Sequence, residues 1–156
     1  VRIRAGTPAD RPVLRRIAVA AKGHWSYGPE FLARFAAVIV PDDDYVTRRD
    51  VRVLEDDDGT PIGFSAILHG GVAVLDDLWV VPEHIGSGIG AILFDDAVSR
   101  AAARGATRME WEAEPYAVGF YERQGATVVG RVTSELGREM PVMRILLVPA
   151  SPVEAP

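Results

Sequence analysis

An apolar run, a turn almost without side chains and a helix follow one another directly in VAVLDDLWVVPEHIGSGIGAILFDDAVSRAAARG, Val72 to Gly105. The first ten residues have the apolar, β-branched content of a strand, and Gly105 is placed to end the helix. Gly86, Gly88 and Gly90 stand at the junction, so whatever the turn accomplishes must come from the main chain. Bare backbone permits close approach of a ligand, and a helix starting there aims unpaired N–H groups and its positive dipole end at an anion. A phosphate or pyrophosphate is the natural occupant. The segment is not a nucleotide-hydrolase phosphate loop, because Ala91 and Ile92 follow where a Lys-Ser/Thr pair would have to stand, and its glycines alternate instead of following G-x-G-x-x-G. The competing reading is a glycine turn that serves chain geometry alone.

Other elements surround this unit. Val1 to Ala5 form a short strand, and TPADRPVLRRIAVAA continues as a helix with Thr7 as its cap, Pro8 at its first position and Asp10 three residues past the cap. Gly28 and Pro29 open a second helix, in which Phe31, Leu32, Phe35, Val38 and Ile39 recur at helical spacing until Pro41 and the run Asp42, Asp43, Asp44 end it. DVRVLEDDDGTPIGFSAILHG reads as a hairpin turning at Asp57, Asp58 and Gly59. ATRMEWEA is a strand, EPYAVGFYERQGA a short helix between Pro115 and Gly125, and TVVGRVTSE and EMPVMRILLV return to strand. Strands interleaved with helices imply α/β layering, and the hairpins make the sheet mixed, which excludes a plain doubly wound nucleotide-binding domain.

With 156 residues, one domain with a real core is expected over 1–148, followed by a Pro- and Ala-rich tail, 149–156, expected to fray. The chain has no cysteine, which removes disulfides, thiolate ligands and thiol nucleophiles. Its formal net charge is -5 with the basic residues scattered, so nucleic acid is not expected as a partner. There is no apolar segment of spanning length and no signal-like N-terminus; a cytoplasmic protein without membrane association is the expectation. His24, His69 and His84 show no metal-ligand spacing, and no metal is expected.

Two blocks in order resemble the GNAT superfamily, the acyl-CoA-dependent N-acyltransferases. Ile85, Gly86, Ser87, Gly88, Ile89 and Gly90 stand where that family carries Gln/Arg-x-x-Gly-x-Gly/Ala around the coenzyme A pyrophosphate; the last two glycines match, Ile85 replaces Gln or Arg, and Ser87 stands where many members are basic. EPYAVGFYERQGA, Glu114 to Ala126, resembles Asn-x-x-Ala-x-x-Phe-Tyr-x-x-x-Gly-Phe, with Ala117, Phe120, Tyr121 and Gly125 retained, Glu114 in place of Asn and Ala126 in place of Phe.

The resemblance implies an α/β fold with a mixed, mostly antiparallel sheet flanked by helices, in which a splayed pair of strands holds acetyl-CoA. It implies coenzyme contacts from Leu78, Val80 and Val81, from Ile85 through Gly90, and from Ala117, Phe120 and Tyr121, with a backbone N–H at Val80 facing the acyl carbonyl. Lacking a cation at Ile85 and Ser87, the turn would hold pyrophosphate by backbone N–H groups with help from the Ser87 hydroxyl, and coenzyme binding is expected to be weak.

Acyl transfer to an amine needs a neutral nucleophile, stabilisation of the carbonyl oxygen and a proton for the departing thiolate. By the resemblance Tyr121 is the proton donor, a task suited to a phenol with a reference pKa of about 10. Glu112, Asp77 and His24 are the candidates for the amine-side base. In a regular strand Asp76 and Asp77 face opposite ways, so at most one looks into a cleft. GHWSYGP places His24, Trp25 and Tyr27 in a loop, where they wall the acceptor pocket or plug the loop onto the core. Trp79 and Trp111 read as core residues.

The function expected is transfer of an acetyl group from acetyl-CoA to a primary amine of a small molecule or peptide, by direct attack in a ternary complex. The alternative is a catalytically inactive acyl-CoA-binding domain with a regulatory or structural part. The apolar C-terminal strand is compatible with a homodimer.

Overall fold

The computed structural model describes residues 1–149; the tail expected to fray lies, from residue 150 on, outside the described residues. Seven strands form one sheet in the order β1-β2-β3-β4-β5-β7-β6: β1 Arg2–Ala5, β2 Asp50–Glu55, β3 Pro61–Leu68, β4 Val72–Val80, β5 Arg108–Glu112, β6 Thr127–Thr133 and β7 Glu139–Leu146. All neighbouring pairs are antiparallel except β4 and β5, which run parallel. A parallel pair needs a crossover, and here it is the helix α4, Ile89–Ala103.

The first helix, α1, spans Arg11–Gly23 and begins after a short 3-10 turn that Asp10 organises by accepting the Thr7 N–H at 2.8 Å and the Arg4 guanidinium at 2.8 and 2.9 Å. Its apolar stripe, Leu14, Ile17, Ala18 and Ala21, repeats every three or four residues and is buried. With α2, Pro29–Val38, it covers one face of the sheet over Val51, Val53 and Phe64. The aspartate run after Pro41 does more than end α2. It starts a further short helix, α3, Asp44–Thr47, in which the Asp42 carboxylate accepts the Tyr45 N–H at 2.9 Å. Side-chain capping of this kind is local and offers no apolar periodicity to read.

On the other face α4 buries Leu93, Phe94, Ala97 and Ala101, and the short helix α5, Val118–Arg123, adds Tyr121. α4 packs directly on Gly63 of β3: a Cβ there would lie 2.9 Å from Leu93 Cδ1 and 3.0 Å from the Trp79 carbonyl oxygen. The absent side chain therefore fixes how near the helix sits to the end of β4. Gly63→Ala is expected to cost about 1–3 kcal/mol by overpacking, measured as a loss of unfolding free energy in urea, because the backbone carbonyl of Trp79 has no way to yield.

Candidate active site

β4 and β5 pair only through Val72 with Arg108, Ala73 with Met109 and Val74 with Glu110. β4 then continues to Val80 and β5 to Glu112 without each other as partners, so the strands part into a wedge. The wedge opens into a cavity of about 510 Å³. The Val81 N–H donates to the Ile62 carbonyl of β3 at 2.9 Å. Successive N–H groups leave a strand on alternate edges, so the N–H of Val80, which lines the cavity, is directed to the open edge.

Gly86, Gly88 and Gly90 line one end of this cavity. Two of them are required by conformation, with φ of 84° at Gly86 and 89° at Gly88, in the left-handed region that side chains disfavour. The third is favoured by space, because a Cβ at Gly90 would meet the Phe120 ring at 3.3 Å, tighter than an ordinary contact. The first N–H groups of α4 have no partner within the helix. Ile85 lines the cavity too, but Ser87 and Ile89 do not: the Ser87 hydroxyl donates to the His84 carbonyl and Ile89 is buried in the core beside Leu93. Val81 likewise packs into the core and is absent from the lining. Arg123 of α5 and His84 line the cavity and bring basic groups that the glycine turn itself does not carry.

Leu78, Ala117, Phe120 and Tyr121 form the apolar middle. Tyr121 is buried among Trp111, Phe94 and Phe120, with ring centroids 5.0, 5.6 and 5.1 Å away. Burial, reinforced by the charges of Asp77 and Glu114, pushes its pKa well above the ordinary phenol value, so it stays protonated at neutral pH. Trp111 is a core residue and Trp79 a partly buried one packed against the core; both border the cavity, and the Trp111 indole N–H is buried without a hydrogen-bond partner among the described residues.

The opposite end is acidic. A bulge between Ala66 and Ile67 pairs Ala66 with Asp77 and Ile67 with Leu75, which makes Asp76 the extra residue. Its carboxylate goes to Arg49 at 2.6 Å. Asp77 instead accepts from the Tyr45 hydroxyl on one oxygen and from Trp79 Nε1, at 2.8 Å, on the other. Burial raises its pKa to about 7 although both donors favour the charged form. Glu112 lines the cavity from an exposed position. Trp25 lines it as well and stacks on Tyr116 at 5.1 Å and 8°. His24 and Tyr27 stay outside the lining: His24 is exposed, edge-on to Trp25 at 4.8 Å, and the Tyr27 hydroxyl donates to Glu114 from behind the wall.

Glu114 is the hub of that wall. It accepts from Lys22 Nζ, from the Tyr27 hydroxyl and, more distantly, from the Tyr116 N–H at 3.4 Å. Lys22, the only lysine in the chain, lies 4.8 to 5.8 Å from the ring centroids of Tyr27, Phe31, Phe35 and Trp79. Motif reading treats Glu114 only as a substitution and does not reach Lys22. One signal was present: Lys22 continues Leu14 and Ala18 at four-residue spacing, and so stands on the buried stripe of α1.

Residues 19–126 match the Acetyltransferase (GNAT) family model. The peptidyl-lysine N-acetyltransferase YjaB of Salmonella typhimurium is 32% identical over 104 residues, which is 66% of this chain and 68% of that protein. Among solved structures, a GCN5-related N-acetyltransferase from Rhodopseudomonas palustris superposes with a TM-score of 0.80 at 25% identity, covering 94% of this chain and 95% of its own. The PaiA N-acetyltransferase of Thermoplasma acidophilum, solved in complex with coenzyme A, gives 0.78 at 18% identity over 93% and 98%.

The Lys22 and Glu114 side chains are only 5% and 8% exposed. Burial lowers the Lys22 pKa while Glu114 works to keep the ammonium charged. Removing one member leaves an uncompensated buried charge, whereas removing both does not. Lys22→Met is expected to cost about 3–5 kcal/mol, and adding Glu114→Gln to recover much of that loss, as read from urea unfolding of the two variants beside the parent.

Proposed function

Because the chain belongs to the GNAT acetyltransferase family, we propose that it transfers an acetyl group from acetyl-CoA to a primary amine by direct attack in a ternary complex. The observation that carries this reading is the wedge between β4 and β5, which brings the Val80 N–H and the protonated Tyr121 into one cavity between a bare helix N-terminus and a carboxylate end. The residues fit the co-substrate: the glycine turn and α4 suit pyrophosphate, Arg123 is available to offset the missing charge at Ile85, and Leu78, Ala117 and Phe120 suit a pantetheine arm. The thioester supplies an activated carbonyl carbon and a good leaving group.

Each step has a residue in this chain. Asp77, with a pKa of about 7, takes the proton of the incoming ammonium, directly or through water, so that the neutral amine can attack. The Val80 N–H donates to the carbonyl oxygen as negative charge develops there. As the C–S bond breaks, the Tyr121 hydroxyl gives its proton to the sulfur, and the second proton of the attacking nitrogen, released as the amide forms, returns the phenolate to phenol, while Asp77 passes the first to solvent. Glu112 adds negative potential at the acceptor end, where Glu114 is neutralised by Lys22, and Trp25 with Tyr116 offers aromatic faces that attract a cation. A lysine side chain in a peptide is the first acceptor to try, given the relative that acts on peptidyl-lysine.

Tyr121→Phe is expected to lower kcat by about 10²-fold or more with little change in the KM for acetyl-CoA, measured by thiol release with a lysine-containing peptide and a panel of small amines. Coenzyme binding with no turnover on any amine would instead favour the inactive binding domain. The base must be ionised to work, so kcat/KM is expected to fall as pH drops through about 7, the pKa of Asp77. Asp77→Asn is expected to remove that limb of the profile together with most of the rate.

A further inference from the structure

A second depression, of about 400 Å³, lies beside the C-terminal half of α4 and shares no lining residue with the cleft. Its walls carry Arg48, Arg49, Arg52, Arg100 and Arg104, together with His69 and Asp50. We infer that this depression binds a small phosphate-bearing anion at a site separate from the coenzyme cleft. Arg100 is eleven residues beyond Ile89 on α4, about 16 Å along the helix axis, so an anion bound here is out of reach of the glycine turn.

Charge is the first argument. The chain has a net charge of -5, yet five guanidinium groups border this one hollow against a single lining carboxylate. Asp50 accepts from Arg52 Nε at 3.1 Å, from His69 Nε2 at 2.8 Å and from Arg100. Burial opposes its charge, but Arg100, His69 and Arg52 hold its pKa down to about 2, and it pre-orients these three groups. Arg49 is held by Asp76 outside the hollow, and Arg48 has only an exposed contact of 3.5 Å with Asp42. Arg104 has no carboxylate partner among the described residues.

Unmet hydrogen bonds are the second argument. His69 Nδ1 and Arg100 Nε are buried without a partner, and so is Asp96 Oδ2, 3.9 Å from Arg100 Nε. Arg100 Nε and His69 Nδ1 belong to residues that line the hollow, and the Arg100 N–H is the buried donor that an anion would complete, whereas Asp96 Oδ2 is an acceptor off the lining that calls for water. Several guanidinium forks around one hollow suit a tetrahedral dianion, whose three or four oxygens can be shared, better than a carboxylate with two. A nucleic acid would need a basic stripe, whereas the carboxylates of Asp42 and Asp76 beside Arg48 and Arg49 interrupt the positive surface at the rim.

The test is an NMR titration of the full chain with inorganic phosphate and, separately, with glycerol 2-phosphate, following backbone amides and arginine Nε–Hε signals. Saturable shifts at Arg52, Arg100 and His69 are expected, and are expected to persist when the coenzyme cleft is filled with coenzyme A. Arg48→Gln combined with Arg104→Gln, both at exposed positions, is expected to weaken binding about tenfold without changing the melting temperature measured in the absence of ligand. Tighter binding of glycerol 2-phosphate would identify a phosphate monoester as the natural ligand, and tighter binding of inorganic phosphate the free ion. The inference is overturned by an absence of saturable shifts at millimolar concentration, by shifts confined to the glycine turn, or by equal affinity in the double variant.

Discussion

The parting of two parallel strands governs the rest of this molecule. β4 and β5 share three residue pairs and then separate, which leaves a length of strand edge whose N–H and C=O groups have no partner across the gap. Buried backbone polar groups are nearly always satisfied, so a gap of this kind is stable only if water or a ligand occupies it. The neighbouring features all serve to hold the gap open. β3 and β7 fix the outer edges of the two strands. α4 is set close to the sheet by Gly63, and its N-terminus is delivered to one end of the opening by two left-handed glycines. The bulge at Asp76 turns the strand so that Asp77 meets Tyr45 and Trp79.

Two of the departures from the family pattern, Glu114 and Ile85, look different once the side chains are placed. Glu114 in place of Asn introduces a charge into a wall that is nearly closed to solvent, and an isolated carboxylate there would be costly. Lys22 and Tyr27 reach it from α1 and from the loop that follows, so the substitution ties that loop to the segment between β5 and α5. The stacking of Trp25 on Tyr116 joins the same two segments at the surface. One substitution thus carries its own compensation across the width of the cleft. Ile85 has no such direct partner; the nearest equivalent is Arg123, which borders the cavity from a different element.

Much of this was legible in the sequence. Helices and strands followed from periodicity, caps and turns, and the two motif blocks singled out the glycine turn and Tyr121, while Asp77 was one of three candidate bases chosen by their place in the chain. The parts that were not legible depend on non-local register. Whether Asp76 and Asp77 face the same side cannot be read from alternation, because the bulge is set by pairing with β3. The aromatic loop was divided by the structure: Trp25 borders the cavity, while Tyr27 turns inward to Glu114, a partner 87 residues away in the chain. Ser87 sits between two glycines that border the cavity, yet its hydroxyl is committed to the turn's own backbone. None of these choices leaves a trace in local composition.

The basic residues are divided in a way that bears on amine chemistry. Lysine and arginine together number 17, and Lys22 is the only lysine; it is buried, paired and surrounded by aromatic rings. Surface positive charge among the described side chains is therefore carried by guanidinium, which keeps its proton at any accessible pH and offers no free amine to attack a thioester. Where a lysine surface would present competing nucleophiles to a cleft suited to amine acetylation, this chain presents none from its described side chains unless Lys22 is first released from Glu114. The pair that stabilises this wall of the cavity also keeps that amine out of reach, so one buried interaction serves both ends.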